Sequence, residues 1–385
     1  MPHTLTPLPQ HRELADWLRR EEKEVWSWFA QKETEVADLE QVRLSLLRDN
    51  YRLEAAAHPE EFREIAAACE ALQIKAAVFA YQAQHQSEPN AAVCHLPGEA
   101  HVIFSGPILS LLSAEELRAV IGHELAHHHL WQMENGDFLL ADRILLASAS
   151  HPAAEATHMQ SARVWRLATE LFADRGAYLA TGSLEAAVGG LVKTTTGLAQ
   201  VSAKSYLAQA EEIFSKSKPK TDRLSHPETF IRARALQLWV DEDAALESII
   251  ARMLDFDEGL DDLTLVQQAE LSALTRRFLA HLLSPDWFQT EAVLAHARLF
   301  FREFKPAADA AILTELTERP ASHREYFAQL MLDFCSVDPD LDDAPIERCL
   351  EFARDLECIG TFEKLLTKEL KVKAKTLKKL KEALA

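Results

Sequence analysis

Only 11 glycines punctuate 385 residues, and no other feature so constrains what this chain can fold into. Chain reversals that need positive φ are largely closed to it, whereas helices do without glycine. The expected fold class is therefore α+β, predominantly helical. Hydrophobic residues make up 48% of the chain, enough for sizeable cores, and the length allows two or three domains. Cys69, Cys94, Cys335, Cys349 and Cys358 are odd in number and irregularly spaced, with no CxxC pair. They suggest no disulfide framework and read as small buried apolar groups in a reducing compartment. A formal net charge of −19 argues against duplex DNA or an anionic membrane as the main partner, and no nucleic acid is expected. The first residues, MPHTLTPLPQHREL, lack the basic start and apolar core of a signal peptide. No apolar run approaches the roughly 20 residues of a membrane span. The expected location is cytoplasmic, with no transmembrane segment.

Four regions follow from the patterning. Residues 1–50 form an N-terminal helical segment, with Leu14, Trp17 and Leu18, then Val25, Trp26 and Phe29, at helical spacing. Residues 51–240 hold the chemistry. A short helix runs from Pro59 to Leu72, followed by strands at AAVFAYQA, NAAVCHL and HVIFS, the last two joined by the turn Pro97-Gly98. Ser113 to Glu116 is a capping box that opens a helix through IGHELAHHHLW. A second long helix covers about 158–181. A polar, lysine-rich loop ends at Ser225-His226-Pro227, and the helix ETFIRARALQLW follows. Residues 241–262 read as an acidic linker, and 263–385 as an all-α C-terminal domain with a basic tail.

His123-Glu124-Leu125-Ala126-His127 is an HExxH motif. On a helix, residues four apart lie about 40° apart around the axis, so both imidazoles can reach one ion. Glu124 lies about 60° beyond His127, nearer the core stripe of Leu117, Ile121 and Leu125. That suits a general base: zinc lowers the pKa of a water to about 7, and a neighbouring carboxylate takes its proton during attack on a peptide carbonyl. A catalytic zinc has three protein ligands and an open position, so the third ligand should sit on another helix. Glu170 and Asp174 share one helical face downstream. Glu170 is the expected ligand. Asp174 is the expected acceptor for the free ring nitrogen of His123. One zinc per chain is expected. His128 and His129 point elsewhere on the same helix.

These motifs in this order resemble the HtpX-like and CAAX-prenyl-endopeptidase-type zinc metallopeptidases, which include Oma1-like members. The resemblance covers about 51–240. It is carried by Asn90-Ala91, Pro97-Gly98, the helix start from Leu112 to Leu117, HExxH, Glu170 to Asp174, His226-Pro227 and Arg232. It implies a zincin-type domain with a small β-sheet, and a metalloendopeptidase of the gluzincin type acting on a protein or peptide substrate. It implies that His226 sits by the open metal position, as oxyanion donor or as inhibitory ligand, and that Arg232 braces the metal-site carboxylates. It also implies that the strand His101, Val102, Ile103 and Phe104 is the edge on which an extended peptide pairs. The membrane-spanning helices of many relatives are missing here, which favours soluble or partly unfolded protein substrates.

Residues 263–385 carry no comparable chemistry. The segment with Asp333, Asp338, Asp340 and Asp342 is similar to TerB-like helical domains, which implies an interaction or metal-sensing module and a protein partner; the other reading is a solvated acidic loop without the EF-hand pattern. The lysine-rich tail reads as a terminal helix or as a docking element. A rival to the enzyme is a catalytically latent zinc scaffold with a regulatory role. The intact Glu124 argues against it, because a structural zinc needs no base.

Overall fold

The computed structural model describes residues 3–31, 36–217, 219, 221, 226–254, 260 and 262–383. Ser225 and part of the acidic stretch fall outside them. The chain divides into two compact units, Met1–Asp257 and Glu258–Ala385. Both are mainly helical, as the scarcity of glycine suggests, although eight non-glycine residues among those described, Gln73 and Asn135 included, take up positive φ in turns.

The first unit opens with α1 (Pro9–Glu21), α2 (Lys23–Gln31) and α3 (Val36–Asp49), then β1 (Asn50–Arg52) and α4 (Pro59–Ala71). Strands β2 (Ala77–Ala83), β3 (Asn90–Leu96) and β4 (Glu99–Ser105) lead into the short α5 (Ile108–Leu111). Helices α6 (Ala114–Gln132), α7 (Asp137–Ser150), α8 (Ala156–Thr181) and α9 (Leu184–Thr196) follow. Helices α10 (Ala203–Lys216), α11 (Thr229–Val240) and α12 (Leu246–Met253) complete the unit, the last lying inside the acidic stretch.

The sheet order is β1-β2-β4-β3. Gly98, at φ +76°, turns β3 back onto β4 as an antiparallel pair with Val93 opposite Val102. β4 also pairs with β2, in parallel, with Phe79 opposite His101. This corrects the strand reading. His101, Val102, Ile103 and Phe104 are hydrogen-bonded on both sides and form no edge; β3 is the edge strand on that side. The His101 ring is itself buried, between Tyr81 Oη at 3.1 Å and Glu99 Oε2 at 2.9 Å. Ala100, Val102 and Phe104 pack with Ile121 and Leu125 of α6 and with Ile65 and Ala68 of α4.

The start of α6 is fixed by the anticipated capping box. Ser113 N donates to Glu116 Oε2 at 2.8 Å, and Glu116 N donates to Ser113 Oγ at 3.3 Å. Lys193 of α9 donates to the same carboxylate at 2.7 Å, tying the helix start to its neighbour. Helix α8 runs 26 residues and ends where Gly182, at φ +68°, donates its N–H to Tyr178.

Helix α1 docks on α8 through His11, which is wholly buried. Its Nδ1 accepts the Leu8 N–H at 3.2 Å, and its Nε2 lies 3.0 Å from Thr169 Oγ1. The Thr169 hydroxyl already donates to the Trp165 carbonyl, so Nε2 must carry the proton and the ring is neutral. Burial, with Arg175 nearby, pulls its pKa down to about 3.

The second unit is all helix: α13 (Leu265–Leu282), α14 (Glu291–Phe300), α15 (Ala311–Thr317), α16 (Ala321–Phe334), α17 (Ala344–Asp355), α18 (Ile359–Lys368) and α19 (Ala374–Ala383). Phe278, Phe327, Phe334 and Phe362 are fully buried in one core. Leu377 and Leu380 of the basic tail join that core, so the tail's apolar side is covered by its own unit. In the acidic loop, Asp338 Oδ1 accepts the Asp340 N–H at 3.1 Å and opens a short 3-10 turn. No helix among the described residues is long and apolar enough to cross a membrane.

His11 makes stability depend on pH. Its folded pKa lies below the unfolded value of about 6.5, so its contribution is intact above that pH and is lost as pH falls toward about 3, by at most about 1.4 kcal/mol per pH unit. Between pH 7.5 and 5.5, denaturant unfolding of His11→Gln should lose about 1 kcal/mol less than wild type. Equal losses would show that His11 is not the group that titrates.

Candidate metal centre

Helices α6 and α8 cross at two glycines. A methyl group on Gly122 would collide with the Ala180 side chain and lie 2.9 Å from the Gly176 carbonyl oxygen. One on Gly176 would collide with the Ala126 side chain and lie 3.0 Å from the Gly122 oxygen. Each glycine lies within two residues of a site residue, His123 or Asp174. The backbones therefore meet beside the two motifs, and the short side chains of one helix reach those of the other.

His123, His127 and Glu170 converge, with donor atoms all within 4.8 Å of one another. The two Nε2 atoms are 3.3 Å apart. His123 Nε2 lies 3.6 Å from Glu170 Oε2, and His127 Nε2 lies 3.8 Å from Glu170 Oε1. Two nitrogens each about 2.0–2.1 Å from a tetrahedral zinc would be about 3.3–3.4 Å apart, so the imidazole pair fits such an ion as it stands. Two imidazoles and one carboxylate are also the donor types zinc takes at an open site.

The surrounding groups hold these donors in place. His123 Nδ1 lies 3.1 Å from Asp174 Oδ1. Arg232 Nη2 lies 3.4 Å from the same nitrogen but can only donate, so the shorter contact assigns the proton to Nδ1 and leaves Nε2 facing the cluster. Arg232, from α11, grips Asp174 with two bonds, Nε to Oδ2 at 2.8 Å and Nη2 to Oδ1 at 2.6 Å. Its Nη1 reaches Glu170 Oε2 at 3.1 Å. His226 Nδ1 lies 3.1 Å from that same oxygen, on a side chain more than half exposed.

Charge follows from this packing. Burial alone would raise Glu170, but Arg232, His226 and the two motif histidines hold it well below the usual carboxylate range. Asp174 is likewise driven down, burial being outweighed by Arg232 and His123. Burial lowers His127 to about 4, so its ring is neutral with a lone pair free to bind an ion. Burial pushes Glu124 up to about 7, outweighing the downward pull of His123, Arg232 and His226.

The centre opens into a cleft of about 750 Å³. Asn90, Ala91, Ala92 and Val93 of the β3 edge line it, as do Leu191, Thr194 and Thr195 of α9. Three lining features were missed by sequence reasoning. One is the β3 edge itself. Another is Trp131, which stacks on His127 with ring centroids 5.9 Å apart and interplanar angle 27°. The third is Arg166. Trp131 is four residues after His127 and Arg166 four before Glu170, so helical spacing was an available signal for both. His128 points away, fully buried, with its Nδ1 2.8 Å from His95 Nδ1 on β3.

Residues 58–240 match the model of peptidase family M48, a span that contains both site helices, His226 and Arg232. The domain these residues form belongs to that family, in keeping with the HtpX- and Oma1-like resemblance. The match stops short of the second compact unit. No curated protein and no solved structure matches the chain.

Gly176→Ala should force α6 and α8 apart. It is expected to lower stability by about 1–3 kcal/mol and weaken zinc affinity by about 10-fold or more. Denaturant melts and competition with a metal-sensitive dye check both, and unchanged values would refute the contact's role.

Proposed function

We propose that this protein is a zinc-dependent endopeptidase that hydrolyses peptide bonds of soluble or partly unfolded proteins. The observation that carries this reading is the cluster of His123, His127 and Glu170 at zinc-ligand spacing, with the buried Glu124 on the same helix turn as the histidines. The M48 match supports a peptidase domain around it.

His123 Nε2, His127 Nε2 and the Glu170 carboxylate would hold the ion. When bound, zinc would polarise the scissile carbonyl and bring the pKa of a water to about 7. Glu124 takes the proton of the attacking water and returns it to the leaving amine. Burial raises this carboxyl from its ordinary value, which strengthens it as a proton acceptor for the first transfer. The β3 edge turns its unpaired backbone row toward an extended peptide, and pairing there tolerates many sequences because main-chain atoms do the binding. His226 is a ring donor at the cleft, suited to a developing oxyanion. Asp174 and Arg232 touch no substrate atom in this scheme and act by fixing His123 and Glu170.

Casein digestion with parallel metal analysis tests the proposal. Wild type should cleave with one zinc per chain. Glu124→Gln should keep the zinc and lose about 10²–10⁴-fold in rate. Undiminished cleavage by Glu124→Gln would overturn the mechanism. His226→Ala should lower kcat/KM by about 10²-fold with zinc retained. A rise in rate would instead show that His226 blocks the site at rest.

A further inference from the structure

We propose that Arg166 forms a carboxylate-accepting subsite within the peptide cleft. The proposal rests on the peptidase reading above and names the substrate chemistry it favours.

Arg166, Glu170 and Asp174 are successive i, i+4 positions on α8, about 40° apart around the axis, so one stripe of the helix faces the cleft. Arg166 lines that cleft together with Asp142 and Thr169, and it is half-buried. Neighbouring arginines are committed elsewhere. Arg163 donates to the Thr221 carbonyl at 2.8 Å, and Arg232 to Asp174 and Glu170. Among the described residues, no carboxylate comes within ion-pair distance of Arg166, and its guanidinium makes no hydrogen bond. Asp142 is the acid it feels electrostatically, and the Asp142 Oδ1 is taken by the Trp165 indole N–H at 2.9 Å.

A guanidinium presents a planar fork of donors that matches a carboxylate, and such pairs strengthen where water is partly excluded. Arg166 lies one helical turn, about 6 Å along the axis, from Glu170. An extended peptide rises about 3.3 Å per residue. The favoured substrate therefore carries a carboxylate within a few residues of the scissile bond. That group is either an Asp or Glu side chain or the free C-terminus of a peptide. An aliphatic side chain at that place leaves Arg166 without a partner, and an amide offers it one acceptor oxygen and no charge.

Full-length, zinc-loaded Glu124→Gln protein binds peptides without turning them over, so fluorescence anisotropy can read the subsite directly. The probes are a labelled, end-blocked neutral peptide, the same peptide with one glutamate, one glutamine or one lysine scanned along it, and versions ending in a free carboxylate. Binding should tighten about 10-fold for glutamate over glutamine at one position. The gain should disappear when Arg166→Gln is added, and lysine should replace glutamate as the favoured residue in Arg166→Glu. If only the free-ended peptides gain, the carboxylate recognised is the peptide terminus. Equal affinity for glutamate and glutamine everywhere, a preference that survives Arg166→Gln, or no binding of any peptide would overturn the subsite. Hydrolysis by protein with Glu124 intact, followed in parallel, separates the two ideas. Cleavage without preference sinks the subsite alone, and Arg166-dependent binding without cleavage sinks the peptidase reading alone.

Discussion

At Gly122 and Gly176 the backbones of α6 and α8 approach until neither position has room for a methyl group. The rest of the site depends on that approach. The close contact fixes the spacing and register of the two helices, and so holds the imidazoles of one and the carboxylate of the other at the separation one ion needs. The small residues Ala126, Ala177 and Ala180 continue the narrow seam on either side. The sheet holds α6 from behind through Ile121 and Leu125, and α1 braces α8 through His11.

Bringing these helices together buries Glu124, Glu170 and Asp174 in one small volume. Unpaired, such carboxylates would cost several kcal/mol each or take up protons. Arg232 resolves this unevenly. It clamps Asp174 with two bonds and touches Glu170, so those two stay ionised, while at Glu124 burial outweighs its pull. The same arginine thus separates three chemically similar acids into a brace, a candidate ligand and a candidate base.

Much of this was legible because it is local. The capping box at Ser113, the histidine spacing of α6 and the i, i+4 pair of Glu170 and Asp174 are each written within one helix, and each sits where its periodicity implies. Strand positions were legible too, from short apolar runs and Gly98. The order of strands was not. Nothing in the alternation of HVIFS records that β2 lies parallel to β4, and that pairing alone moves His101–Phe104 from the edge to the middle. The reciprocal glycine contact is equally unwritten in the sequence, since it joins positions 54 residues apart that carry no side chain to betray it. β1 is three residues long, too short to show alternation.

X-ray absorption at the zinc edge of metal-loaded protein would interrogate the centre most directly. A centre built from His123, His127 and Glu170 requires two imidazole nitrogens at about 2.0–2.1 Å with carboxylate oxygen at about 2.0–2.2 Å, and loss of one imidazole signal in His127→Ala. Sulfur scattering at about 2.3 Å, or a spectrum indifferent to His127 and Glu170, would place the ion elsewhere and contradict it.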